Sequence, residues 1–362
     1  AFSNLLAHPA SVIMSRLVIA GAPETIASRP VGTGPFVFSG AAPEREVRVR
    51  RFDDYWRPGW PRLEGVRWVT VPAAAERLAM LERGEADVVA EYPLLADVPP
   101  AVAARYRVTG TPSVITRFLY LNLSKFPFSD PAARQTLNCM IRRKALADRA
   151  FGGMAMPADS LVPPGIDGAV ALPPAACDAY EARSRLAQAG LKDGEPLVLW
   201  CDADNSVNRR VAEELAGQLG RSGIRLSVRY LTGRERREWM GRRGLDASCP
   251  AAMYLGKWSS STGEADGALR LPFGSAFAPP AGVNIARYAS AAFDERLREA
   301  RLATDPVRRR AALADAQRQL AADLPAVALV RDRMRWASAL NLRGVKRTPD
   351  GGLLFSGAEF TR

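Results

Sequence analysis

This sequence predicts an α/β fold, and three observations carry the prediction. "EPLVLWCDAD" (195–204), "SVNRRVAEELAGQLGRSG" (206–223) and "IRLSVRYL" (224–231) read as strand, amphipathic helix and strand, the order of a parallel α/β layer. "AAAERLAMLERGEADVV" (73–89) gives a second helix that stops at a glycine and leads into an apolar strand. "VITRFLYLNLS" (114–124) is the longest β-type alternation. With 362 residues, the chain has room for two or three domains.

The elements follow in order. "RPVGTGPFVFSG" (29–40) gathers three glycines and two prolines before it turns apolar. "REVRVRRFDDYW" alternates from Val47 to Phe52 as a half-exposed strand, and "GVRWVTVP" (65–72) is the next. In the helix that follows, Leu78 and Leu81 share the apolar side and Gly84 is the C-cap. Ile115, Phe118, Tyr120 and Asn122 lie in or near one face of the 114–124 strand. Asp130 is an N-cap with Pro131 at the first helical position. Val207, Val211, Leu215 and Leu219 recur at i+4 along the central helix. "CPAAMYLGKW" (249–258) is an apolar strand running into the polar loop "SSSTGEADG" (259–267). Asp305 and Pro306 start the last long helix, Pro325 stops it, and "AVALVRDRMRWASALNLRGV" (326–345) closes the chain as strands.

A formal charge of +12 and a pI near 10 raise nucleic acid or an anionic membrane surface as partners. The arginines are scattered, however, and the densest run (225–244) interleaves Glu235 and Glu238 without a nucleic-acid motif. It reads as a solvated basic face. No stretch has the roughly 18 apolar residues a membrane span needs. The first residues lack the pattern of a signal peptide, so the chain reads as processed or as lacking its beginning. Cys139, Cys177, Cys201 and Cys249 lack paired zinc spacing. Cys201 and Cys249 both adjoin strand-like runs, where they are either disulfide partners or buried free thiols.

Catalytic chemistry finds little to use. The one histidine is His8, and there is no GxSxG elbow. Asp53 and Asp54 are adjacent, but adjacency does not make carboxylates face each other. Gly32 and Gly34 suggest a phosphate loop, yet Pro35 and Phe36 follow where a Walker loop needs Lys and Ser or Thr, and a strand follows where a dinucleotide site needs a helix. These glycines read instead as permitting a tight backbone course, stiffened by Pro30 and Pro35, before Phe36 to Phe38 enter a sheet. The expectation is no enzyme, no cofactor and no metal.

Eight segments in sequence order resemble the extracytoplasmic solute-binding proteins of family 5, the dipeptide and oligopeptide receptors of ABC importers. They are "RPVGTGPFVF", "FDDYWRPGWPRLEGVRW", "RLAMLERGEADVV", "FLYLNLSKFPFSDPAARQTLNCMIRRKAL", "SLVPPGI", "KW" with its polar loop, "NIARYASAAFDERL", and the final helix with "DLPAVALV". The resemblance implies a two-lobed, periplasmic-binding-protein-like fold of class II type that closes by hinge bending. Crossings near 114–122 and 327–332 would make lobe I residues 1–117 plus 329–362 and lobe II residues 118–328. Lobe I would then be incomplete at its N-terminus. The implied role is a periplasmic or lipid-anchored, monomeric receptor that binds a peptide or peptide-like solute between its lobes. It would deliver that solute to a membrane permease and bind no nucleic acid. The alternative is a non-transport descendant, the sensor half of a regulator or an assembly partner.

The resemblance also nominates ligand-binding residues. The loop after "GKW" is similar to the one whose acid meets a peptide amino terminus, with Glu264 the first match and Asp266 the second. Trp258 resembles a cleft tryptophan that offers a flat wall. Tyr92, Phe118, Tyr120, Asn284 and Tyr288 fall on segments expected beside the cleft. No arginine matches the one that grips a dipeptide carboxylate, which points to a longer or different solute.

Overall fold

The computed structural model describes residues 11–42, 44–92, 98–172, 179–192, 194–203, 206–260 and 262–361; His8 and Cys177 lie outside them. The chain divides into two compact units, one of Val114–Asp332 and one of the residues up to Ser113 with Arg333–Arg362.

The smaller unit opens on an antiparallel sheet of β1 (Phe36–Ala42), β2 (Glu46–Arg51) and β3 (Gly65–Val69). A bulge after Phe38 shifts the β1–β2 register, so that Phe38 faces Val49 and Gly40 faces Arg48. Phe36 starts β1 as expected, but neither Gly32 nor Gly34 has a positive φ. A Cβ would meet nothing closer than 3.6 Å at Gly32 and nothing within 4 Å at Gly34, so no tight course requires these glycines. α1 (Ala74–Arg83) ends at Gly84 in the left-handed region with φ 75°, where a Cβ would also stand 2.8 Å from the Arg105 guanidinium. Leu81 of α1 is buried with Val89 of β4 (Val88–Val89), Tyr92, Val102, Tyr106 and Ala337 in this unit's core.

β5 (Tyr106–Leu121) starts eight residues before the expected strand. Gly110 and Pro112 break the alternation there, and tertiary pairing overrides the local signal. From Thr116 onward every residue of β5 is buried on either face, so alternation understates a central strand.

In the larger unit, Asp130 caps α2 (Pro131–Met140) by accepting from the Ala132 N–H at 2.8 Å. α3 (Arg143–Phe151) and β6 (Ala155–Pro157) follow. β7 (Leu197–Asp202), α4 (Ser206–Gly220) and β8 (Leu226–Leu231) are the predicted strand–helix–strand unit, with β7 and β8 parallel. Val211, Leu215 and Leu219 of α4 are buried. β9 (Met253–Trp258) lies parallel to β7 and antiparallel to β5, so the parallel layer extends over β9, β7 and β8 and the sheet is mixed beyond it. α5 (Ala265–Phe273), α6 (Ala291–Leu302) and α7 (Pro306–Asp323) pack on the core cluster of this sheet. Asp305 caps α7 at 3.0 Å, and Leu324 with φ 47° and then Pro325 terminate it. β10 (Ala326–Ala339) lies beside β5 and pairs with β6 in this unit, then continues into the smaller unit, where Ala337 and Ser338 pair with β4.

Cys201 and Cys249 are buried free thiols, which settles that open pairing, whereas Cys139 is disulfide-bonded. Burial pushes the Cys201 thiol up to about 12 and raises that of Cys249. Among the described residues no helix is long and apolar enough to cross a membrane.

Candidate functional site

The β5–β9 pair organises the larger unit's interior. Antiparallel register sets Thr116 opposite Trp258, Phe118 opposite Gly256 and Tyr120 opposite Tyr254, and paired side chains share a face. Phe118 and Tyr120 meet edge to face with ring centres 4.8 Å apart, and Phe273 of α5 lies 5.9 and 5.8 Å from them. Tyr254 stacks beside Tyr120 at 6.4 Å. Gly256 makes this possible, because a Cβ there would stand 2.8 Å from Tyr120 Cε2. Desolvation raises the phenols of Tyr120 and Tyr254 well above their ordinary value.

At the end of β9 the Trp258 indole donates from Nε1 to the Gly267 carbonyl at 2.9 Å, tying the strand to the first turns of α5. The connecting loop is braced twice. Ser260 Oγ donates to the Glu264 carbonyl at 2.5 Å, packed against a helix backbone that has no side chain at Gly267. Asp167 accepts from the Ala265 N–H at 2.8 Å and donates its own N–H to Gly263 at 2.9 Å.

The two nominated acids differ in what they have left to offer. Glu264 is buried and its carboxylate is held bidentately by Arg309 of α7, with Nη2 to Oε2 at 2.6 Å and Nε to Oε1. The guanidinium also donates to the Ala300 carbonyl, and the bond to Glu264 raises the Arg309 pKa. Asp266, also buried, accepts from Arg270 Nε at 3.0 Å through Oδ2 alone, and its Oδ1 is enclosed without a partner. Thr116 Oγ1, with its residue wholly buried, is likewise unpartnered.

The remaining nominated residues are spread out. Asn284 is wholly buried, and its Nδ2 donates to the carbonyls of Phe273, Gly274 and Tyr288 while Oδ1 accepts from the Tyr288 N–H. Tyr288 donates to Asp323 and packs on Phe293 at 5.5 Å. Both shape the turn between α5 and α6. Tyr92 belongs to the smaller unit's core, where the Arg335 guanidinium lies 4.7 Å from its ring. The structure thus gathers Trp258, Asp266, Phe118 and Tyr120 around one sheet–helix seam.

Sequence reasoning missed three residues. Arg309 stands one helical turn before Leu313 on the apolar side of α7, and that spacing was a usable signal. Thr116 shares the parity of Phe118 and Tyr120, a polar residue on an apolar strand face. Arg117, on the opposite face, binds Asp332 of β10 at 2.7 and 2.8 Å and Asn208 Oδ1 at 3.0 Å, above the Phe151 ring. Nothing local announced that pairing. Among the described residues no cluster of His, Cys, Asp and Glu could hold a metal ion.

Comparison with known proteins agrees with this architecture. The family described as bacterial extracellular solute-binding proteins, family 5 Middle, matches residues 1–279. Glutathione-binding protein GsiB of Pectobacterium atrosepticum is 33% identical over 363 residues, covering 100% of this chain and 70% of its own length. Among solved structures, HbpA2 from Haemophilus parasuis aligns with TM-score 0.78 at 21% identity, covering 100% of this chain and 71% of that one. A dipeptide-binding protein from a Pseudoalteromonas species, in complex with Met-Leu, aligns with TM-score 0.77 at 21% identity, covering 99% and 71%. At these identities the two structures show the fold, that of periplasmic binding proteins.

Proposed function

Because the chain belongs to the bacterial extracellular solute-binding proteins of family 5, a family of binding receptors and not enzymes, we propose that it takes a short peptide or peptide-like solute bearing a free ammonium group. In this reading it works in the periplasm and hands the solute to the membrane permease of an ABC importer. The observation that carries the reading is Asp266 Oδ1, a buried carboxylate oxygen without a partner beside the Trp258 indole. An enclosed carboxylate with a spare oxygen is complementary to an ammonium, and a charge-assisted bond there is stronger than a neutral one. Trp258 supplies an apolar wall, with Phe118 and Tyr120 packed behind it. The name of the GsiB relative, a glutathione-binding protein, supports a solute of this class.

Thermal unfolding and calorimetry with glutathione and with Met-Leu test the reading. Ligand at 100 times its Kd stabilises the folded state by about 2.7 kcal/mol, a shift of several degrees. Asp266→Asn, which keeps the shape and removes the charge, is expected to weaken binding at least tenfold. Absence of heat and of any thermal shift with both compounds would overturn the proposal.

A further inference from the structure

We infer that Thr116 is a second polar contact of this site and makes it selective for a primary ammonium over a substituted nitrogen. The inference rests on the reading of Asp266 given above.

Thr116 lies between Val114 and Phe118 on the face of β5 turned to the core cluster, and no part of it is exposed. Its Oγ1 has no hydrogen-bond partner. A buried hydroxyl left unpaired destabilises the fold, so its retention needs a reason. Its register partner is Trp258. That indole reaches the Gly267 carbonyl, next in sequence to Asp266. Thr116 Oγ1 on the strand side and Asp266 Oδ1 on the helix side therefore flank one ring. Among the described residues these two are the buried side-chain oxygens without a partner.

The chemistry of the pair is specific. Both oxygens accept hydrogen bonds, and a primary ammonium offers three N–H donors with a positive charge. One N–H satisfies Asp266 and another satisfies Thr116. An N-acylated nitrogen has one N–H and no charge, so it leaves an oxygen unpaired in a closed site. Sites built to hydrogen-bond a ligand group reject analogues that lack it.

The test compares Thr116→Val, Thr116→Ser and Asp266→Asn in the full chain, with Met-Leu and N-acetyl-Met-Leu as probes. Valine keeps the shape and removes the hydroxyl. Thr116→Val should raise the unliganded Tm by roughly 2 °C, since it deletes an unpaired buried oxygen. It should weaken Met-Leu binding about tenfold, whereas N-acetyl-Met-Leu, already weak, should not respond. Thr116→Ser should bind Met-Leu within about threefold of the unaltered chain, a difference of ~0.65 kcal/mol. Unaltered Met-Leu affinity in Thr116→Val, while Asp266→Asn loses binding, overturns the role of Thr116 and leaves the ammonium reading standing. Unaltered affinity in both overturns the reading itself. A lower Tm for Thr116→Val with unaltered affinity identifies the hydroxyl as structural and also overturns the inference.

Discussion

Glu264→Gln separates the two acids of the α5 loop most sharply. The side chains of Glu264 and Arg309 are 5% and 8% exposed, and their carboxylate and guanidinium are paired at both ends. Glutamine preserves the volume but leaves the guanidinium enclosed without a counter-charge. Breaking one side of a buried pair costs about 3–5 kcal/mol, and the lower end applies because the Gln carbonyl still accepts one bond. At 2–4 °C per kcal/mol for a unit of this size, Tm should fall by roughly 6–12 °C. Chemical denaturation should show a matching loss of stability with an unaltered m-value. The double variant Glu264→Leu/Arg309→Met should recover most of the loss, because apolar replacement of a buried pair is often neutral. Solute affinity of the folded single variant should stay within about twofold, since the carboxylate is already committed to Arg309. A tenfold loss of affinity without a loss of stability would refute this reasoning and put Glu264 on the solute.

Three further outcomes follow from the same interior. Gly256→Ala pushes a methyl to 2.8 Å from Tyr120 Cε2 in a ring cluster with no slack, and should cost about 1–3 kcal/mol in urea denaturation. Arg117→Met strands Asp332 and the Asn208 carbonyl oxygen and should cost about 3 kcal/mol, largely restored by adding Asp332→Leu. Cys201 titrates near 12 in the folded chain against an ordinary value of 9, so the folded state holds its proton more tightly and its stabilising contribution is full below pH 9 and lost between 9 and 12. The slope should approach 1.4 kcal/mol per pH unit for this thiol, and Cys249 adds in the same direction. Iodoacetamide at pH 8 should label neither thiol until denaturant is added, and labelling of Cys201 in the native chain would contradict its burial.

Much of the fold was legible because its elements carry their own punctuation. Asp130, Asp305 and Gly84 mark helix ends by local chemistry, and each acts as the sequence indicates. The start of β5 was not legible, because pairing with neighbouring strands, not local pattern, makes residues 106–113 extended. Gly32 and Gly34 mislead in the opposite way, since glycine permits special geometry without implying it. Around the candidate site, aromatic and acidic residues could be named from the loop that holds them. Which of them already had partners could not. Arg309 is more than forty residues from Glu264, and Asp332 more than two hundred from Arg117, so no window of sequence contains either pair.

That difference in partnering is what orders the candidates. Glu264, Asn284 and Tyr288 look as polar in sequence as Asp266, yet each has its hydrogen-bonding groups engaged within the fold. A group so engaged gives up existing bonds before it can bind anything new, and its net gain is small. Asp266 Oδ1 and Thr116 Oγ1 gain on binding, because the cost of enclosing them was already met when the chain folded. Both sit against the same indole, where an incoming donor is shielded from water and each bond is strengthened. The selectivity of this family member thus follows from two oxygens that folding leaves unpaired, and the Thr116→Val and Asp266→Asn pair measures how much each contributes.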